Sequence, residues 1–255
     1  MVGAITQYID VAQLVLYLFW AFFAGLIYYL HQEGKREGYP LESDISHRIK
    51  VQGFPAIPDA KTYVLRDGTT RIAPNAANNG FDKDLKAIPA NAYPGAPLIP
   101  TGNPMLDGVG PGSYAIRPDI PDMTVDQEPK IVPLRVATNF HLESSDPNPI
   151  GMDVIAGDGH VAGQISDVWV DRAEIVIRYL EVKVAGNGRT VLIPNNFARI
   201  TNKEVKVRSI FAKHFADVPG TKNAETITLM EEERIMAYYG AGTLYASPER
   251  AEPLL

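Results

Sequence analysis

VAQLVLYLFWAFFAGLIYYL, residues 11–30, is a run of twenty residues without a charged side chain. As a helix rising 1.5 Å per residue it spans about 30 Å, the thickness of a bilayer's hydrocarbon core. Gln13 is its only strongly polar side chain and lies one turn in, within reach of the interface. Tyr28 and Tyr29 suit the aromatic belt at the far interface. Trp20 lies mid-span, where it can face a protein neighbour instead of lipid. Asp10 can cap the start, its carboxylate accepting from free N–H groups of the first turn. A cleaved signal peptide is a poor alternative. The first ten residues hold no Lys or Arg, the apolar stretch is too long, and His31-Gln32-Glu33-Gly34-Lys35-Arg36 is no small-residue cleavage site. A buried core helix is an equally poor fit to such a run.

Charge sets the expected orientation. Lys35, Arg36, Arg48 and Lys50 follow the span and no Lys or Arg precedes it. The positive-inside rule then places residues 1–10 in the periplasm and the large domain in the cytoplasm. Lys35 and Arg36 stand where anionic lipid headgroups would lie.

The rest of the 255 residues reads as globular sequence, with 45% hydrophobic and 21% charged residues. A net charge of −6 argues against nucleic acid as a partner. The lack of cysteine excludes disulfides, thiolate metal sites and a cysteine nucleophile. With 21 Gly and 20 Pro, many turns are expected and an all-helical bundle is not.

Residues 31–60 read as an extended tether, punctuated by Pro40, Pro55 and Pro58. KTYVLRDGTTRIA at 61–73 predicts a β-hairpin turning at Asp67-Gly68. Residues 74–121 hold nine prolines and read as an irregular segment laid over a surface, ordered by another subunit. From about 131 strands are expected over Ile131–Thr138, His160–Val170, Ile175–Val184, Arg189–Ile193 and Glu204–Ile210. Short strands joined by turn dipeptides indicate a small antiparallel barrel or sandwich. A C-terminal helix follows, with Thr228-x-x-Glu231 as capping box and Gly240 as its stop. The expected organisation is therefore a periplasmic 1–10, a span at 11–30, a tether and surface segment at 31–104, and a cytoplasmic barrel domain with a C-terminal helix at 105–255.

Catalytic motifs are absent: no G-x-S-x-G, no P-loop, no dinucleotide fingerprint. His31, His47, His141, His160 and His214 are scattered, with no i, i+4 pair for a metal. Carboxylates are the suggestive groups. Asp119, Asp122, Asp126 and Glu128 crowd DIPDMTVDQE, Asp171 and Glu174 flank a turn, and Glu231–Glu233 are consecutive. Asp171 could simply open a type I turn and the glutamates could serve a helix N-terminus. Alternation with Val176, Leu180, Val182 and Val184 would put Arg178 on the core face, where it needs a partner such as Asp171 or Glu174.

Six stretches carry a resemblance over essentially the whole chain: KREGYPL at 35–41, PTGNPMLDGVGPGSYA at 100–115, KIVPLRVAT at 130–138, DVWVDRAE at 167–174, RYLEV at 178–182 and YYGAGTLYA at 238–246. With the single N-terminal span, the chain resembles the H subunit of the purple bacterial photosynthetic reaction centre. The resemblance implies a PRC-type β-barrel capping the quinone side of the complex. It implies a non-enzymatic role: stabilising the L and M subunits, shielding the quinones, and supplying a proton path to the secondary quinone. The location implied is the photosynthetic, intracytoplasmic inner membrane. Bacteriochlorophyll, bacteriopheophytin, quinones and the non-haem iron would belong to partner subunits, and no cofactor or metal to this chain. L and M are the implied partners, with a cytochrome subunit, a light-harvesting antenna and membrane lipids as further candidates.

Residue by residue, the family's proton-uptake segment aligns with 122–128, giving Asp122, Asp126 and Glu128. Some members carry two histidines where this chain has Asp126 and Glu128, and an aspartate where it has Thr124. The family's divalent-metal inhibition site rests on those histidines. Carboxylates also relay protons, but from a far lower pKa than histidine. The family's interior aspartate and glutamate match Asp171 and Glu174, and its paired arginine matches Arg178. The alternative is a non-photosynthetic, membrane-tethered PRC-barrel adaptor, against which the matches at 35–41 and 100–115 weigh. A membrane-anchored enzyme lacks any visible nucleophile–base arrangement.

Overall fold

The computed structural model describes residues 10–40, 53–75, 85–93 and 95–251. Arg48, Lys50 and His47, most of residues 1–10, and residues 76–84 of the Pro-rich segment lie outside them. Two units, Met1–Phe81 and Asp82–Leu255, are described in turn.

Among the described residues of the first unit there is one helix, α1 (Val11–Arg36), which continues more than a turn beyond the apolar run. Asp10 caps it, its Oδ1 accepting from Gln13 N at 2.8 Å. Its apolar side chains are exposed, Trp20 among them, as a span facing lipid or other chains requires. At the C-terminal end Lys35 turns inward. It is buried, and its Nζ donates to Gly53 O at 3.0 Å and Pro55 O at 2.5 Å. Arg36 pairs with Glu33 and donates to Asp59 O. Both cations thereby anchor the chain that follows the helix, whose carbonyls need donors. Strands β1 (Lys61–Val64) and β2 (Thr70–Ala73) pair antiparallel about Asp67-Gly68, as the sequence predicts. Gly68 takes φ +80°, and Asp67 Oδ1 accepts from Thr69 N and Oγ1. Both faces of this hairpin are largely exposed, including Tyr63, Val64 and Ile72.

The second unit starts with a small antiparallel pair, β3 (Ala87–Pro89) and β4 (Leu98–Pro100), inside the segment expected to be irregular. The main sheet has seven strands: β5 (Ile131–Pro133), β6 (Asp153–Ile155), β7 (Val161–Asp171), β8 (Val176–Val184), β9 (Thr190–Pro194), β10 (Ala198–Ile200) and β11 (Glu204–Val207). They run in the order β10-β11-β6-β7-β8-β9, with β5 on the end of β7. All pairs are antiparallel except β11 with β6. Bulges in the β6–β7 and β7–β8 ladders curl the sheet into a half-barrel. β5 is shorter than the expected Ile131–Thr138, because the chain turns at Pro133, whose carbonyl accepts from Val136 and Ala137 N.

Inside the curl lie Val154, Val168, Leu180, Val182, Ile193, Val205 and Val207, all fully buried. Their β-branched predominance explains why these segments are strands. Helix α2 (Leu229–Tyr245) adds Ile235 and Tyr239, and Tyr239 stacks on Phe197 at 5.8 Å. The Thr228–Glu231 capping box forms as predicted. The helix does not stop at Gly240. It passes through Gly240 and Gly242 because each lets backbone approach closely. A Cβ at 240 would lie 2.8 Å from Pro111 O, and one at 242 would lie 2.6 Å from Ser209 O. The Pro-rich segment is thereby held against α2 at Gly110–Gly112.

Candidate functional site

The acidic stretch and the β7–β8 turn come together at one end of the half-barrel. Residues 122–130 double back, with Thr124 N donating to Glu128 O and Lys130 N to Asp122 O, both at 2.8 Å. Gln127 takes φ +62° at the tip. Directly after this loop, β5 pairs with β7 so that Ile131 faces Asp171, and Arg172 N donates to Lys130 O. The ladder therefore sets Lys130 beside the β7–β8 turn.

That turn is built on Asp171. Its Oδ1 accepts from the N–H groups of Ala173 and Glu174, both at 3.0 Å, and its carbonyl accepts from Ile175 N. Ile175, a β-branched residue, is forced to φ +56°. The turn-opening role and burial coexist: the Asp171 side chain is 0% exposed, and its Oδ2 has no hydrogen bond. Lys130 Nζ answers that oxygen from 3.4 Å, as an ion pair, and also lies 3.2 Å from Glu174 Oε1 and 3.8 Å from Asp122 Oδ2. Glu174 and Asp122 are about half exposed, so the cluster passes from solvent to a fully enclosed carboxylate. The hydrogen bond donated to Glu174 lifts the Lys130 pKa above its ordinary 10.5; burial opposes this and the Asp171 charge supports it. Nearby, Arg172 pairs with Glu128 at 2.7 Å, and Asp126 is exposed at the loop tip.

Arg178 is elsewhere. Trp169 pairs with Tyr179 and Val170 with Ile177, so Arg178 is the extra residue of a bulge. The bulge breaks the alternation that predicted a core-facing arginine, and the side chain is exposed. Its ionic partner is Glu232 at 3.9 Å, not Asp171 or Glu174. Glu232 also accepts from Tyr179 Oη at 2.8 Å. Burial raises its pKa above the carboxylate norm; Tyr179, Arg178 and Arg117 pull it down, while the Asp122 charge adds to the rise. These groups line an open cleft of about 570 Å³ that also holds Arg117 and Glu233. The three consecutive glutamates thus separate: Glu231 caps the helix, Glu232 faces the cleft, and Glu233 pairs with Arg117. Asp119 instead binds Lys222 and Thr228 at the start of α2.

Sequence reasoning passed over Lys130 and Tyr179, and read Glu232 only as one of three consecutive glutamates at a helix N-terminus. Lys130 had one available signal: it is the lone cation between the acidic stretch and the first barrel strand. It also missed a second cluster. Arg135 Nη1 bridges Asp167 and Glu181 at 2.8 and 3.0 Å, and Trp169 Nε1 donates to Glu181. Asp167 and Glu181 are cross-strand neighbours in register, so the arginine offsets a repulsion that the ladder imposes.

Among the described residues, no group of three or more His, Asp or Glu side chains is placed to hold a metal. A family model for the photosynthetic reaction centre H-chain N-terminal region matches residues 3–136, more than half of the chain, and one for the PRC-barrel domain matches residues 141–213. Together with the one long apolar helix among the described residues and the half-barrel that it precedes, these matches show that the chain belongs to the H-chain family of the photosynthetic reaction centre, whose members are structural subunits of that complex and not enzymes.

Proposed function

We propose that this subunit caps the quinone side of the reaction centre from the cytoplasm, stabilises the L and M subunits, shields the quinones from water and carries protons toward the secondary quinone. The N-terminus is periplasmic in this reading, and the pigments, quinones and non-haem iron are held by the partner subunits. The observation that carries the proton role is the Lys130 cluster, in which exposed Asp122 and Glu174 share one ammonium with the enclosed Asp171. Carboxylates that share a cation at graded depth can hand protons from water to an interior site, since each lies within the field of the next.

Asp122, Asp126 and Glu128 collect protons on the loop and Glu174 exchanges them at the turn; the sequence alone suggests that Asp171 connects Glu174 to the surface, but its enclosure beside the exposed Glu174 favours the inner place in the relay. Arg178 acts with Glu232 to balance charge in the adjoining cleft. Flash-induced electron transfer to the semiquinone, measured on the complex carrying Glu174→Gln, tests this. Slowed second electron transfer with normal first transfer and assembly is expected. Loss of assembly or thermal stability alone would make Glu174 structural and overturn the assignment. Replacing Asp122, Asp126 and Glu128 together by Asn or Gln should slow proton uptake near neutral pH and above.

A further inference from the structure

A second cleft, of about 470 Å³, opens between β10, β11 and the end of α2, and its charge runs against that of the molecule. The chain carries a net −6, yet this cleft is lined by Arg199, Lys206, Arg208 and Arg250 and, among the described residues, by no carboxylate. Arg199 on β10 stands directly opposite Lys206 on β11 in the antiparallel register. Like charges in that relation destabilise a ladder unless an anion lies between them. Glu204 pairs with Lys206 at 2.8 Å, which answers one of the cations. Arg199 and Arg208 form no ion pair or side-chain hydrogen bond among the described residues.

The remaining walls are suited to an oxyanion. The Arg250 guanidinium is fixed by three main-chain carbonyls, of Ser209, Gly242 and Arg208, at 2.7 to 2.9 Å, and lies over the Phe211 ring at 4.7 Å. Carbonyls orient it without cancelling its charge. Ser209 lines the cleft, 6% exposed, and its Oγ has no hydrogen-bond partner. A buried hydroxyl without a partner is a position waiting for an acceptor.

We propose that this cleft binds a phosphate group, as a soluble phosphate ester or as a phospholipid headgroup, with Arg199 and Arg208 as its principal ligands. Guanidinium forks match phosphate oxygens in a way that no neutral ligand reproduces. The site is independent of the Lys130 cluster, so its failure leaves the proton role intact.

The test is equilibrium dialysis of radiolabelled orthophosphate against the purified complex in nanodiscs of phosphatidylcholine. Saturable binding of one phosphate per subunit is expected. Arg199→Gln with Arg208→Gln should weaken it about a hundredfold, near tenfold per charge-assisted contact. Both arginines are exposed and form no ion pair among the described residues, so the variant should keep the parent's melting temperature. Lys203→Gln, which removes an exposed charge outside the lining, should change binding less than twofold. Repeating the titration in discs containing phosphatidylglycerol separates the sources. Suppressed binding there identifies a headgroup, and unchanged binding with displacement by glycerol phosphate identifies a soluble ester. Non-saturable uptake, or affinity untouched by the double substitution, overturns the proposal.

Discussion

Replacing Lys130 by methionine removes the ammonium that sits 3.4 Å from Oδ2 of the enclosed Asp171 while keeping much of the aliphatic stem. At an effective dielectric of 20, the gross attraction across that 3.4 Å is about 5 kcal/mol. Part of it offsets the desolvation of lysine, whose side chain is 21% exposed, and Oδ1 keeps its two backbone donors in the variant. Breaking a wholly buried pair costs 3–5 kcal/mol, so this partly solvated one should cost about 2 kcal/mol. For a unit of this size that is a fall in melting temperature of roughly 4–8 °C. The chain's two tryptophans are Trp20 in the membrane helix and Trp169 in the barrel core. A Trp20→Phe background therefore leaves Trp169 fluorescence as a reporter of barrel unfolding alone. Asp171→Asn should cost less, since the amide oxygen still accepts from Ala173 and Glu174. The double variant should be more stable than the sum of the singles predicts, by about 1 kcal/mol or more. Because the folded lysine's pKa is raised, its own contribution to stability is present below about pH 10.5 and is lost as pH climbs through the folded value. Strict additivity, within about 0.3 kcal/mol, would refute the idea that Lys130 is there to hold Asp171.

Three further outcomes follow from the same structure. Glu232 has its folded pKa raised above 4.5, so wild-type stability should fall, relative to Glu232→Gln, as pH rises from 4.5 through that folded value. Denaturant midpoints of both proteins between pH 4 and 7 check this, and a constant difference would contradict it. Gly242→Ala should destabilise by about 2 kcal/mol, since overpacking against Ser209 O outweighs the roughly 1 kcal/mol that alanine gains in a helix; thermal melts would show it, and a gain in stability would count against the close approach. Limited proteolysis should cut the β1–β2 hairpin and the segment near 85–100 quickly in the isolated chain and slowly in the complex. Equal rates in both would remove the argument that partners order these residues.

The parts legible from sequence were those fixed by local rules. Twenty apolar residues behind Asp10, the Asp67-Gly68 turn and the Thr228–Glu231 box each name their own structure, and each formed. The long strands β7 and β8 came within a residue of their expected limits because β-branched runs and turn dipeptides bracket them. What failed was long-range. Arg178 was misplaced because a bulge adds a residue to β8, and nothing in the spacing marks where a ladder slips. Gly240 reads as a stop by itself; only the approach of Pro111, far off in sequence, makes it an interior residue. Asp171 could be nominated from its turn and the family likeness, but Lys130 depends on β5 pairing with β7. Arg135, Asp167 and Glu181 come from three of the stretches that carry the resemblance, KIVPLRVAT, DVWVDRAE and RYLEV, and meet only in the folded sheet.

The exposed hairpin β1–β2 bears on how the subunit is made. The apolar core begins at Met105, and no described residue of the first unit contributes to it. Translation delivers that first unit before a single core residue has left the ribosome. The barrel can complete itself once its strands have emerged, since its buried contacts are internal to it. Among their described residues the anchor and hairpin bury little apolar surface, though Lys35 and Lys61 tie them together, and a free hairpin of two strands is marginal in water. The end of the chain made first is thus the end finished last. The membrane and the neighbouring subunits are left to supply the contacts that it lacks.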